Sequence, residues 1–71
     1  MNRAEHLAWA KTRAIEYIDR GELQDGLASM ISDLHKHDEL ADYPSVLFLS
    51  GASKVMDGNG PALRQWVEGF N

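Results

Sequence analysis

The densest group of side chains able to do chemistry is Asp33, His35, Lys36, His37 and Asp38. Carboxylates and imidazoles are metal ligands, but they must converge on one point. On a helix His35 and His37 point about 200° apart, so only Asp33 and His37, four residues apart, share a face. Two ligands do not make a closed metal site. Charged and imidazole side chains in the last turn of a helix also complement its dipole, and this simpler role fits the spacing. A second group, Asp57, Asn59 and Glu68, falls at the first, third and twelfth positions of a calcium-loop count. The count fails where Pro61 and Ala62 stand in place of an oxygen ligand and a glycine. Gly58-Asn59-Gly60 has the look of an anion-binding turn, yet no lysine follows closely and no strand precedes it. Serines occur at 29, 32, 45, 50 and 53, none of them in a Gly-x-Ser-x-Gly elbow, and cysteine is absent, which removes thiolate chemistry. A body this size also has little room for a ligand pocket of about 300 Å³ or more. No metal and no cofactor are expected, and the chain reads as a non-enzyme.

Binding chemistry centres on Trp9. With about 100° per residue and Leu7 as origin, Trp9 lies near 200°, among Glu5, Arg13, Glu16 and Arg20 and nearly opposite the apolar side. An indole there is expected to face solvent, and exposed Trp and Arg are enriched at binding hot spots. Trp9, Arg13, Glu16 and Arg20 are therefore the candidate partner-binding residues. The competing arrangement lays the indole under Arg13, one turn on, or beneath the C-terminal segment. Trp66 is expected in the core, and Lys11 is expected to cover apolar surface with its stem while its amine reaches water.

The elements that must hold these residues are helical. Ala4, Leu7, Ala8, Ala10, Ala14, Ile15, Tyr17 and Ile18 share one half of a helical wheel, which predicts a helix over 3–20. Asn2 and Glu5 have capping-box spacing, and Gly21 supplies a left-handed stop. Leu23, Leu27, Met30, Ile31 and Leu34 predict a second helix running to about Lys36. Gly26, at the edge of that stripe, permits close approach of the first helix. His37 to Tyr43 reads as a polar connection. Pro44 opens a third helix with a stripe of Phe48, Leu49, Ala52, Val55 and Met56. Asp57-Gly58-Asn59-Gly60 is turn chemistry, and Pro61 opens a short last helix bearing Leu63, Trp66, Val67 and Phe70. The only strand-like run, Val46 to Leu49, has nothing to pair with.

The expected fold is all-α: a small bundle of three to four helices, built as a helical hairpin plus two shorter C-terminal helices. In Ala14-x-x-Tyr17-x-x-x-Gly21-x-Leu23-x-x-Gly26 the hairpin resembles a single tetratricopeptide-type unit, although the second half repeats the pattern poorly and a repeat array needs about three units. At 71 residues the whole of 1–71 is one domain. Its core should supply on the order of 3 to 5 kcal/mol, so a partner subunit would help. The charge of −4 disfavours binding to a phosphate backbone, although Arg3, Lys11, Arg13 and Arg20 cluster in the first twenty residues. The N-terminus carries no apolar signal segment and no stretch is long enough to span a membrane, which points to the cytoplasm.

The residues Glu16-Tyr17-x-Asp19-x-Gly21-x-Leu23-x-x-Gly26-Leu27-Ala28-Ser29-Met30-x-Ser32-Asp33-Leu34-x-Lys36-His37, with Glu68-Gly69-Phe70 near the end, resemble a group of short, uncharacterised helical proteins of tailed bacteriophages and prophages. The likeness is clearest over residues 13–37. It implies a phage origin and action inside an infected bacterium, and it brings no activity or site residues with it. The expectation is thus a protein-binding module whose partner is a host or phage protein, as an inhibitor of a host enzyme or of host defence. The alternatives are a self-associating homodimer and, third, an accessory nucleic-acid-binding protein.

Overall fold

Both ends of the first helix, α1 (Arg3–Asp19), are fixed by residues the sequence places there. In this computed structural model, which describes residues 2–71, Asn2 Oδ1 accepts the Glu5 N–H at 2.8 Å and Glu5 Oε1 accepts the Asn2 N–H at 3.0 Å, a closed capping box. At the other end Gly21 adopts φ +80°. Its N–H donates to the Ile18 carbonyl and that of Glu22 to the Tyr17 carbonyl, each at 2.9 Å. This double closure satisfies carbonyls that the helix end would leave orphaned, and it needs a residue free to take positive φ.

The chain then turns into α2 (Leu23–His35), followed by a 3-10 turn (Asp38–Leu40), α3 (Ser45–Met56) and α4 (Gly60–Glu68), with no strand among the described residues. It is the all-α bundle of hairpin and two shorter helices. Among the described residues no helix is long and apolar enough to cross a membrane.

The hairpin is close because its contact is made by small residues. Ala10 and Ala14 of α1 are fully buried. A Cβ on Gly26 would come within 2.9 Å of Ile18 Cγ1 and 3.1 Å of the Ala14 carbonyl oxygen, so Gly26 marks the point where α2 rides against the α1 backbone. This approach rotates α2 away from the expected stripe. Its buried side is Gly26, Ser29, Met30, Asp33 and Leu34, while Leu23, Leu27 and Ile31 are only half-buried. The connection after α2 is also less polar than its composition suggests, because Leu40 is 1% exposed and belongs to the core.

Leu7, Ala10, Ala14 and Ile18 of α1, Met30 and Leu34 of α2, Leu40, and Leu63, Val67 and Phe70 from α4 and just beyond it make up that core. Pro44 precedes α3 as its N-cap residue and does not sit inside the first turn. α3 contributes no buried apolar side chain; its one buried residue is Gly51, with Phe48 and Val55 half-buried against the core edge. A Cβ on Gly51 would lie 2.8 Å from both Leu27 Cδ1 and Trp66 Cζ2. The Trp66 ring cannot easily yield, since its Nε1–H donates to the Leu47 carbonyl at 3.0 Å and its face meets Phe70 edge-on. Gly51→Ala is thus expected to lower the melting temperature, because overpacking by about 1–3 kcal/mol outweighs about 1 kcal/mol of helix propensity. Thermal unfolding followed by circular dichroism checks this, and a raised melting temperature would contradict the packing.

Candidate functional site

Two surfaces stand out, one polar between α1 and α2 and one apolar on α3. The polar one is built around Asp33, whose side chain is 1% exposed. A carboxylate at that depth must be paired. Arg13 Nε lies 3.1 Å from Oδ2, Lys36 Nζ lies 3.1 Å from Oδ1, and the Ser29 hydroxyl donates to Oδ2 at 3.4 Å. The buried His6 places Nε2 2.5 Å from the Asp33 backbone carbonyl, which requires that nitrogen to carry the proton. Its imidazole lies edge-on to Trp9 at 5.1 Å, and the His37 ring is also 5.1 Å away.

The candidate partner-binding residues divide here. Trp9 is half-buried and not fully solvent-facing: the Arg13 guanidinium lies 4.9 Å from its ring centroid and the Lys36 amine 5.6 Å. The wheel set Trp9 on the solvent side of α1, but the indole packs partly against the core, with Lys36 at the end of α2 on one side and His6 of α1 itself on the other. Of the four residues, the structure joins only Trp9 and Arg13. Glu16 stays exposed, and Arg20, about three turns from Trp9, lies over Tyr17 and pairs with Glu22 at 2.6 Å. That hydrogen bond raises the Arg20 pKa further above its already high ordinary value.

A polar hollow of about 410 Å³ opens beside this cluster, with Tyr17, Asp25, Ser29 and Asp33 in its wall. Asp33 engages two cations, and the Ser29 hydroxyl donates to the same carboxylate. The arrangement ties α1 to α2. The carboxylates and imidazoles of residues 33–38 point different ways. Asp33 faces α1, His35 meets the Ile31 carbonyl at 2.7 Å, and His37 accepts the Glu39 N–H at 3.2 Å as the cap of the 3-10 turn. Among the described residues no three His, Asp or Glu side chains converge. Asn59, from the calcium-loop count, accepts the Ala62 N–H at 3.1 Å and caps α4.

The apolar surface was not legible as such. Val46 is 65%, Leu49 67% and Met56 87% exposed, with Leu47 at 36% beside them. On the wheel of α3, Val46, Leu49, Ser53 and Met56 fall within about 80°, opposite Phe48, Gly51 and Val55. The expected stripe of Phe48, Leu49, Ala52, Val55 and Met56 mixed the two sides, because Gly51 and not a large side chain marks the centre of the contact. Gly51 was the signal that could have found it: a glycine in a helix interior asks for a packing reason. Leu47 also borders an open hollow of about 410 Å³, with Tyr43, Trp66, Gly69 and Phe70 around it.

Bases of α1 hold the far wall of that hollow. Lys11 Nζ donates to the carbonyls of Glu68 at 3.0 Å and Phe70 at 2.5 Å, capping α4. Arg3 donates to the Tyr43 hydroxyl at 3.1 Å and to the Asn71 carbonyl, which also accepts the Tyr43 O–H.

By its architecture the chain is a small all-α bundle, with Val46, Leu49 and Met56 exposed along the outer side of α3. No protein-family model, curated protein or solved structure matches it.

Proposed function

We propose that this chain is a non-enzymatic protein-binding module whose contact face is the outer side of α3. The observation that carries the reading is the exposure of Val46, Leu49 and Met56 along one side of a single helix. Isolated apolar residues on a surface are ordinary, whereas a contiguous row of them is the usual mark of a contact surface. The polar cluster at Asp33 serves the hairpin, so the Trp9 side of α1 becomes the secondary candidate. A nucleic-acid role is disfavoured by the same geometry. Arg3 and Lys11 donate to carbonyls, Arg13 pairs with Asp33 and Arg20 with Glu22, which leaves α1 without a row of unengaged cations. The resemblance to tailed-phage proteins adds the setting: a host or phage protein in the cytoplasm of an infected bacterium, with inhibition of a host enzyme or defence protein as the consequence of binding.

Self-association is the second reading, favoured by the same face in so small a domain. Sedimentation at micromolar concentration separates the two. For the leading reading, a photo-crosslinking amino acid is placed at position 49 or, as a comparison, at 16. Crosslinks from 49 to one protein of another sequence, which then copurifies with the wild type in fixed ratio and fails to copurify with Leu49→Ser, are the expected outcome. Crosslinks from 16 alone would move the interface to α1, and crosslinks from 49 only to a second copy would make the protein a homodimer. Leu49 is exposed, so the serine variant should fold with a melting temperature close to that of the wild type.

A further inference from the structure

Charge around α3 narrows what can cover it. Asp38, Glu39 and Asp42 precede the helix and Asp57 follows it directly. All four are exposed, and none makes an ion pair among the described residues. The only base between residues 38 and 57 is Lys54, whose amine turns back to Ser50, 3.2 Å from the hydroxyl and 3.4 Å from the carbonyl. The six other bases are engaged elsewhere. Arg13 and Lys36 hold Asp33, Arg20 holds Glu22, Arg64 holds Asp19 and Glu68, and Arg3 and Lys11 hold the C-terminal segment. The chain thus presents a row of apolar side chains with uncompensated acids at both of its ends.

Resting on the reading of α3 as the contact face, we infer that the partner segment is a basic amphipathic helix: an apolar stripe with lysine or arginine at both ends. Electrostatic complementarity selects the sign, because acids left against acids on association cost affinity and slow encounter. A second copy of this chain fails that test. Paired along α3 in either direction, it sets Asp42 and Asp57 against acids of the other copy. Helical form follows from the face itself. The interior of α3 has its backbone groups bonded within the helix, so it offers no edge to an added strand and recognition must run through side chains. From Val46 to Met56 the stripe is about 15 Å long, which matches about three turns of a partner helix with apolar anchors at i, i+3 or i+4, and i+7. The hollow beside Leu47 can take one large anchor, stacked near Trp66 and Phe70. A standard contact of about 800 Å² per partner would occupy roughly a fifth of the 4261 Å² surface, so stripe and hollow must act together.

The test uses the full chain and two synthetic helical peptides of about sixteen residues. Both carry the same leucine pattern; one has lysines at both ends and the other glutamates. Binding is read by fluorescence anisotropy of the labelled peptide at low and raised salt. The lysine-ended peptide is expected to bind at least about tenfold more tightly, to weaken with salt, and to lose about tenfold in affinity against Leu49→Ser. The double change Asp42→Asn with Asp57→Asn should narrow the gap between the two peptides. Equal binding of both peptides would overturn the basic-partner inference while leaving the α3 face standing as a contact surface. Lysine-ended binding untouched by Leu49→Ser would place the peptide on some other acidic patch, and failure of both peptides to bind would also sink the inference. Neither of these last results bears on the crosslink from position 49, which judges the contact face separately.

Discussion

Truncation of Leu34 to alanine is expected to lower the free energy of unfolding by about 2–5 kcal/mol. Leu34 is fully buried in the centre of the core that α1, α2 and α4 share. The change removes apolar contacts and leaves a cavity that three helices, held by caps and short turns, cannot readily collapse. In a domain whose net stability is on the order of 3 to 5 kcal/mol, this is enough to unfold much of the population at physiological temperature. Urea titration followed by helical circular dichroism measures it. Leu27→Ala provides the comparison. Leu27 lies on the half-buried side of α2, against Gly51, so its loss should cost less than that of Leu34. Equal costs would mean that the hairpin is rotated differently and that α3 carries a full share of the core.

That contrast shows how far the sequence reaches. The helices and their ends were legible because they depend on local chemistry. Asn2 and Glu5 close a capping box, and Gly21 and Gly58 take positive φ where a helix must stop. Gly26 was legible too, since a small residue at the edge of a stripe needs a neighbour to explain it. The faces were not. A wheel ranks residues by hydrophobicity, so it centred α2 on its leucines and isoleucine. The contact with α1 is instead governed by how closely two backbones can approach across Ala10, Ala14, Gly26 and Ser29. The same rule hid the outer face of α3, where Gly51 docks and larger apolar residues are left outside. Asp33 was legible only as a member of a polar cluster at a helix end. Its burial depends on Arg13 arriving from another helix, and no local pattern in α2 announces that. Trp9 was expected in solvent and is half-buried against the core, because Lys36, which comes over its ring, lies more than twenty residues away in sequence.

Asp33→Ala is expected to cost about 2 kcal/mol, and the reasons for that figure separate a structural lock from an ordinary surface pair. An exposed ion pair is worth little, and a fully buried one loses more when a charge is stranded without solvent. Here the carboxylate is 1% exposed while the side chains of Arg13 and Lys36 are 43% and 53% exposed. Once Asp33 is gone, both cations can rehydrate, which discounts the penalty. Ser29, at 9% exposure, loses its acceptor without that relief. Asp33→Asn keeps the volume and an acceptor, so it should cost about half as much. The lock also holds the indole, because the cations drawn to Asp33 are the ones beside Trp9. In the alanine variant the Trp9 indole N–H resonance should therefore shift, while that of Trp66, bonded to the Leu47 carbonyl, stays in place. Raised salt should narrow the difference between wild type and variant, since the cations are only half shielded from solvent. If Asp33→Ala melts at or above the wild-type temperature, the carboxylate does not tie the hairpin.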